Sequence, residues 1–143
     1  MARRTSRPPQ RARATNLALQ DLHVRARFPG FAGRRGRSLY TWRGRLQPRP
    51  TSPAYVVEVR CSAGGVPAVR VLAPPLASGA PHLYRDGTLC LSWPREWTWR
   101  GEALMAETIL PWTAAWLGYY ELWLDTGEWL GPSSHAQLAK EAQ

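Results

Sequence analysis

The sequence predicts an α+β domain, and three observations carry that expectation. An amphipathic stretch near the N-terminus is followed by three consecutive segments that alternate apolar and polar residues, and a tryptophan-rich stretch at helical spacing comes only after them. Strands that follow one another without intervening helices pair with their sequence neighbours, which makes an antiparallel meander. At 143 residues the chain has ordinary single-domain size and can bury a core of its own.

Residues 1–13 carry Arg3, Arg4, Arg7, Arg11 and Arg13 with the pair Pro8-Pro9 and no apolar periodicity. They read as a disordered basic arm before a domain at 14–132, with a short tail at 133–143. From Thr15, read as an N-cap, the residues Leu17, Ala18, Leu22, Val24 and Ala26 predict a short helix that stops before Phe28-Pro29-Gly30. The glycine- and arginine-rich residues 31–37 read as a loop.

Three strands come next. In 38–47 the residues Tyr40, Trp42 and Leu46 share one face, and Thr41, Arg43 and Arg45 the other. In 54–61 the inward set is Tyr55, Val57 and Val59, with Val56, Glu58 and Arg60 pointing away, so Cys61 falls on the inner face. Gly64-Gly65 turns the chain into 66–72, with Val69 and Val71 inward, and Pro74-Pro75 ends that strand. Residues 76–80 read as a loose approach to the segment that holds Cys90. A short helical piece is expected at 102–109, broken by Pro111, before the last helix. In that helix Trp112, Trp116, Tyr119 and Trp123 recur at helical spacing with Leu117, Tyr120 and Leu124 adjoining, Pro111 in its first turn and Gly127 at its exit. The tryptophans read as core packing against the sheet in preference to a ligand-stacking surface.

The net charge of +9 is lopsided, since residues 1–49 carry +12 and residues 50–143 carry −3. A basic patch of this kind suits nucleic acid or an acidic protein surface. Eighteen arginines against one lysine also fit a GC-rich coding sequence, so nucleic-acid binding is the weakest of the functional readings. Two cysteines are too few for a disulfide framework and lack the paired spacing of a zinc site; no metal and no cofactor is expected, and both thiols should be free. No apolar run approaches the roughly 20 residues that span a bilayer. The opening Met1-Ala2-Arg3-Arg4 is not followed by the apolar core of a secretory signal. The expected location is the cytoplasm, with no membrane partner.

The chemistry concentrates in Ala80-Pro81-His82-Leu83-Tyr84-Arg85-Asp86-Gly87-Thr88-Leu89-Cys90-Leu91. Asp86-Gly87 signals a turn, and the stretch after it is too short for a helix before Pro94, which places Cys90 on a short extended segment between leucines. A cysteine flanked by leucines is often only a small buried apolar residue. The alternative is a single positioned nucleophile.

The segment resembles the active-site stretch of ubiquitin-conjugating enzymes, where His-Pro-Asn is followed by a turn, a glycine and Ile-Cys-Leu. Ala80-Pro81-His82 falls on His-Pro-Asn and Leu89-Cys90-Leu91 on Ile-Cys-Leu. Trp97-Thr98-Trp99 resembles that family's Trp-Thr-Pro or Trp-Ser-Pro, one residue nearer the cysteine, and Val66-Pro67-Ala68-Val69-Arg70-Val71 its Pro-Pro-x-Val-x-Phe strand. The run from Pro111-Trp112 through Trp116-Leu117-Gly118-Tyr119-Tyr120-Glu121 to Trp129 resembles, more narrowly, the bacterial conjugating-enzyme-like proteins of type II CBASS antiphage operons. With no room for an adenylating domain, the chain is similar to their stand-alone short form. The resemblance implies a UBC-like fold with a fourth strand ahead of the cysteine segment, a thioester at Cys90, and as partner a cGAS-like nucleotidyltransferase or a ubiquitin-like protein, with an activating enzyme supplied in trans.

A thioester carrier needs an accessible thiolate and hydrogen-bond donors near the acyl oxygen. Cys90 is the candidate nucleophile. His82 stands where the resemblance places an asparagine held to stabilise the oxyanion, and it reads either as donor or base, or as a residue that only stabilises the loop. Tyr84 and Asp86 line the same turn as supporting candidates, and His135, after Gly131-Pro132, is a more distant one. The competing reading is a binding module that keeps the fold without catalysis.

Overall fold

The computed structural model describes residues 14–91 and 99–132. The predicted arm, the predicted tail, Trp97-Thr98 and His135 therefore lie outside the described residues.

The first helix, α1 (Leu17–Arg27), is capped by Asn16, whose side chain accepts the Leu19 N–H at 3.0 Å. The predicted cap, Thr15, sits one residue too early and is used elsewhere. Its N–H donates to the Ala63 carbonyl at 2.8 Å, and its hydroxyl accepts from the Trp99 indole at 3.2 Å. The buried face also differs from the expected one, since Gln20 and Val24 are buried while Leu22 is 64% exposed. Gln20 is satisfied there because its amide nitrogen donates to the Ala103 carbonyl at 2.6 Å and its amide oxygen accepts the Met105 N–H at 2.9 Å. Two backbone groups far along the chain thus make a polar residue part of the core.

Four strands come after α1: β1 (Ala32–Arg35), β2 (Tyr40–Leu46), β3 (Tyr55–Cys61) and β4 (Ala68–Ala73), in an antiparallel meander of order β1-β2-β3-β4. The fourth strand is the edge strand β1, in the segment that reads as a loop from sequence, and it precedes the other three. It pairs Ala32 with Arg43 and Arg35 with Tyr40. Gly33 makes that pairing possible, because a Cβ there would meet the Asp21 carboxylate, the Tyr40 ring at 2.8 Å and the Trp42 indole at 3.1 Å. Asp21 itself accepts from the Trp42 indole at 3.0 Å and pairs with Arg25 at 2.9 Å, which ties α1 to the sheet.

The inward sets follow the alternation. Tyr40, Trp42, Leu46, Tyr55, Val57, Val59, Cys61 and Val69 are buried, and the Phe31 ring packs against Gly44. Val71 is only partly buried. On the outward face the departure is Glu58, 3% exposed yet on the far side from the core, covered by Arg43 and Arg60 at 2.6 and 2.7 Å.

Residues 102–108 of the predicted helical piece at 102–109 form turns and bends, and Ile109 already belongs to the last helix. The last helix, α2 (Ile109–Thr126), starts earlier than expected and carries Pro111 as its third residue, where an absent N–H costs no helical hydrogen bond. It ends on Gly127 at φ 77, whose N–H donates to the Trp123 carbonyl at 2.8 Å. Its buried stripe is Ile109, Leu110, Thr113, Trp116, Leu117, Tyr120 and Glu121. Trp112, Tyr119 and Trp123 are half-buried and Leu124 is exposed, so of the tryptophans in this helix it is Trp116 that stands in the core. Val24 of α1, the inward apolar residues of the sheet and Ile109, Leu110, Trp116, Leu117 and Tyr120 of α2 form one apolar cluster with Met105, Leu89 and Leu91.

Glu121 closes the far end of the sheet against α2. Its carboxylate accepts from Arg49 at 2.7 and 3.2 Å, Ser52 at 2.8 Å and Tyr55 at 3.1 Å. Burial alone would raise its pKa, but these donors outweigh burial and hold it below the usual carboxylate range. The same burial, with Glu121 as acceptor, pushes the Tyr55 phenol upward.

Candidate active site at Cys90

The approach segment is tied down, contrary to its loose appearance in the sequence: the Ala77 N–H donates to the Tyr120 hydroxyl at 2.8 Å and the Ala80 N–H to the Ala77 carbonyl at 3.2 Å. From there the chain makes a miniature antiparallel ladder. Cys90 N–H donates to the His82 carbonyl at 2.8 Å, Leu83 bridges Leu89, and Tyr84 N–H donates to the Thr88 carbonyl at 2.9 Å. The turn between the two arms closes with Gly87 N–H to the Tyr84 carbonyl at 2.9 Å, and Gly87 has φ 85, a conformation open to glycine at little cost. The Leu89 N–H donates to the Val69 carbonyl at 2.8 Å, fastening the return arm to β4.

Residues alternate across such a ladder. Leu89 and Leu91 are buried in the core, which turns Cys90 outward, where it is partly exposed. The same alternation puts Tyr84 on the outward side with it, its phenol near the Cys90 thiol. The neighbouring thiol, with partial burial, raises the Tyr84 phenol above its ordinary range.

Asp86 is engaged by the turn. Its Oδ1 accepts the Thr88 hydroxyl at 2.6 Å and the Thr88 N–H at 2.9 Å, and these bonds hold its carboxyl below the usual range. Arg70 of β4 stands beside the same turn, with its guanidinium 3.2 Å from where a Gly87 Cβ would lie.

His82 has φ 57, in the left-handed region where histidine and asparagine are among the better-tolerated side chains. Its ring lies 4.8 Å from that of Trp129 at 46°. Trp129 in turn packs on Trp116 at 5.4 Å and Tyr119 at 6.1 Å. Gly131 allows this, since Tyr119 lies 2.5 Å from any Cβ placed there. A chain of rings therefore runs from α2 to the His82 turn. Of the predicted site residues, His82, Tyr84 and Cys90 come together, Asp86 stands one step away, and His135 lies outside the described residues.

Matching against family models finds the type II CBASS E2 protein over residues 20–136, more than half of the chain. The chain belongs to that family. A search of curated proteins finds no match.

In this CBASS E2 protein the second cysteine is of a different kind. Cys61 is 1% exposed, its sulfur lies 3.3 Å from the Ser62 carbonyl, and burial pushes its thiol up to about 11. Both cysteines are free, so no disulfide joins them. Among the described residues no group of three or more His, Cys, Asp or Glu is placed to hold a metal ion, and no helix is long and apolar enough to cross a membrane.

Two residues of the site give little sequence signal. Trp129 belongs to the tryptophan-rich run, but its contact with His82 depends on the chain folding back after Gly127. Arg70 reads only as an outward residue of a strand.

Proposed function

We propose that this CBASS E2 protein acts in antiphage defence as an acyl carrier, with Cys90 as its nucleophile. The observation that carries the reading is an outward-facing, partly exposed Cys90 thiol on the same side of its hairpin as Tyr84, in a chain of this family. In loading, the Cys90 thiolate attacks the activated C-terminal carbonyl of the partner, the C–S bond forms, and the activating group leaves with its electron pair. In transfer, an amine attacks the thioester carbonyl, the C–N bond forms, the C–S bond breaks, and the amine proton passes to a base. Loading draws on an activating enzyme in trans, and the proposed acyl partner is a cGAS-like nucleotidyltransferase or a ubiquitin-like protein. His82 supplies a donor to the acyl oxygen or accepts the amine proton, and Tyr84 positions the thiol.

The protein incubated with its activated partner is assayed on a non-reducing gel and by intact mass. A thiol-sensitive adduct is expected on the wild type and on Cys61→Ala and is lost on Cys90→Ala. An adduct that forms equally on Cys90→Ala sinks the proposal.

A second reading is a non-catalytic binding module, and the packing of His82 against Trp129 favours it, because a ring engaged there is less free to serve an acyl group. It predicts no adduct under any condition, with partner binding unchanged in Cys90→Ala.

A further inference from the structure

The sheet has a second face, turned away from the core, on which no described helix lies. Strand register builds it row by row. Arg34 stands beside Thr41, which stands beside Arg60; Arg43 stands beside Glu58, which stands beside Arg70; Arg45 stands beside Val56. All five arginines are exposed. Neighbouring strands lie about 4.8 Å apart and same-face residues about 6.8 Å along a strand, so these guanidinium groups form a two-dimensional array.

Glu58 is the one acid in the array. Its carboxylate engages Arg43 and Arg60 through their Nε atoms, yet their side chains remain 60% and 56% exposed. One carboxylate thus holds two arginines upright against the sheet without neutralising the face. Arg34 and Arg45 have no carboxylate partner among the described ion pairs, and Arg70 stands beside the Asp86 turn, whose carboxyl its charge helps to lower.

The rest of the face selects between kinds of anion. Its register positions hold Ala32, Thr41, Val56 and Ala68 and no aromatic ring, so it lacks the stacking platform on which a sheet reads single-stranded nucleic acid. Small and apolar residues between preorganised arginines instead suit a protein surface, where carboxylates meet the guanidinium forks and methyl groups fill the gaps. A second copy of this chain, itself of net charge +9, is a poor occupant.

We infer that the outward face of the sheet, centred on Arg43, Arg60 and Glu58 and flanked by Arg34, Arg45 and Arg70, docks a partner protein through an Asp/Glu-rich segment. The face borders the Cys90 hairpin at Arg70, but its role does not depend on the reaction there. It makes the protein a two-point binder: the acidic segment is held by the sheet independently of any chemistry at the thiol.

The test uses the full chain and fluorescence anisotropy with a fluorescein-labelled oligo-glutamate peptide, beside labelled single-stranded and duplex DNA. The expected result is saturable peptide binding that weakens as salt rises. In Arg34→Glu/Arg45→Glu, which leaves the Glu58 ion pairs intact, affinity should fall about tenfold or more, and in Arg34→Lys/Arg45→Lys it should largely return. Melting curves confirm that each variant is folded. Peptide binding that is absent from the wild type, or unchanged in the charge-reversed variant, overturns the inference. So does tighter binding of either DNA at equal salt that the same reversal abolishes, since the face is then a nucleic-acid site.

Discussion

The carbonyl of His82 accepts the backbone N–H of Cys90 at 2.8 Å, so the residue that holds a left-handed backbone also sets the position of the thiol. At φ 57 a β-branched side chain is strained, whereas asparagine is tolerated. His82→Asn is expected to keep the backbone and lose the ring contact with Trp129, costing about 1 kcal/mol. His82→Val loses both, costing about 2–3 kcal/mol. Urea denaturation ranks the two, and a valine variant as stable as asparagine refutes the argument.

Glu121 makes stability depend on pH in a definite direction. Its folded-state pKa is depressed against the pull of burial by Arg49, Ser52 and Tyr55. The contribution is therefore fully present above the ordinary carboxyl value of about 4.3 and is lost as pH falls through the lower folded-state value. Arg49→Ala leaves the carboxylate buried with two hydroxyl donors and should lower stability at neutral pH. The same substitution should cost clearly less in strong acid, where Glu121 is protonated in both proteins. A penalty that does not change with pH contradicts this assignment.

The two thiols should separate by reactivity. Cys61 is buried and its thiol is raised to about 11, while Cys90 is partly exposed. Iodoacetamide on the folded protein at mildly alkaline pH should modify Cys90 and spare Cys61, read by peptide mass. Because the fold favours the neutral Cys61 thiol, that preference holds below the ordinary thiol value of about 8.5 and is lost as pH climbs towards 11. Equal labelling of both residues in the folded protein is the contrary result.

Gly44 is needed for the absence of a side chain, since any Cβ there runs into the Phe31 ring. Gly44→Ala should destabilise by about 1–3 kcal/mol through overpacking. Phe31→Ala combined with it should cost less than the two single changes added together, because the cavity accepts the new methyl. Simple additivity in a thermal-melt cycle tells against the contact.

The strands of the centre are legible in the sequence because each has one dry face: Tyr40, Trp42, Tyr55, Val57 and Val59 repeat with a period of two. The edge strand Ala32–Arg35 is not, since all four of its residues are exposed or only partly buried and it is placed by pairing and by Gly33. Gln20 is illegible for another reason. A glutamine on a helix signals solvent, and only the backbone groups of Ala103 and Met105, brought in by tertiary folding, make it a core residue. At the site, the Asp86-Gly87 turn and the leucines around Cys90 are readable as local chemistry. The placing of Tyr84 on the side of Cys90 follows from ladder register, and the His82–Trp129 contact from a reversal beyond α2, neither of which has a local signature.

The 4.8 Å approach of the His82 and Trp129 rings gives the protein an optical reporter of its own. An imidazole in contact with an indole quenches its emission, so Trp129, one of eight tryptophans, reports on that contact with no dye attached. Anything seated on Cys90 that tilts the turn alters the same light, and the signal disappears with the imidazole in His82→Asn.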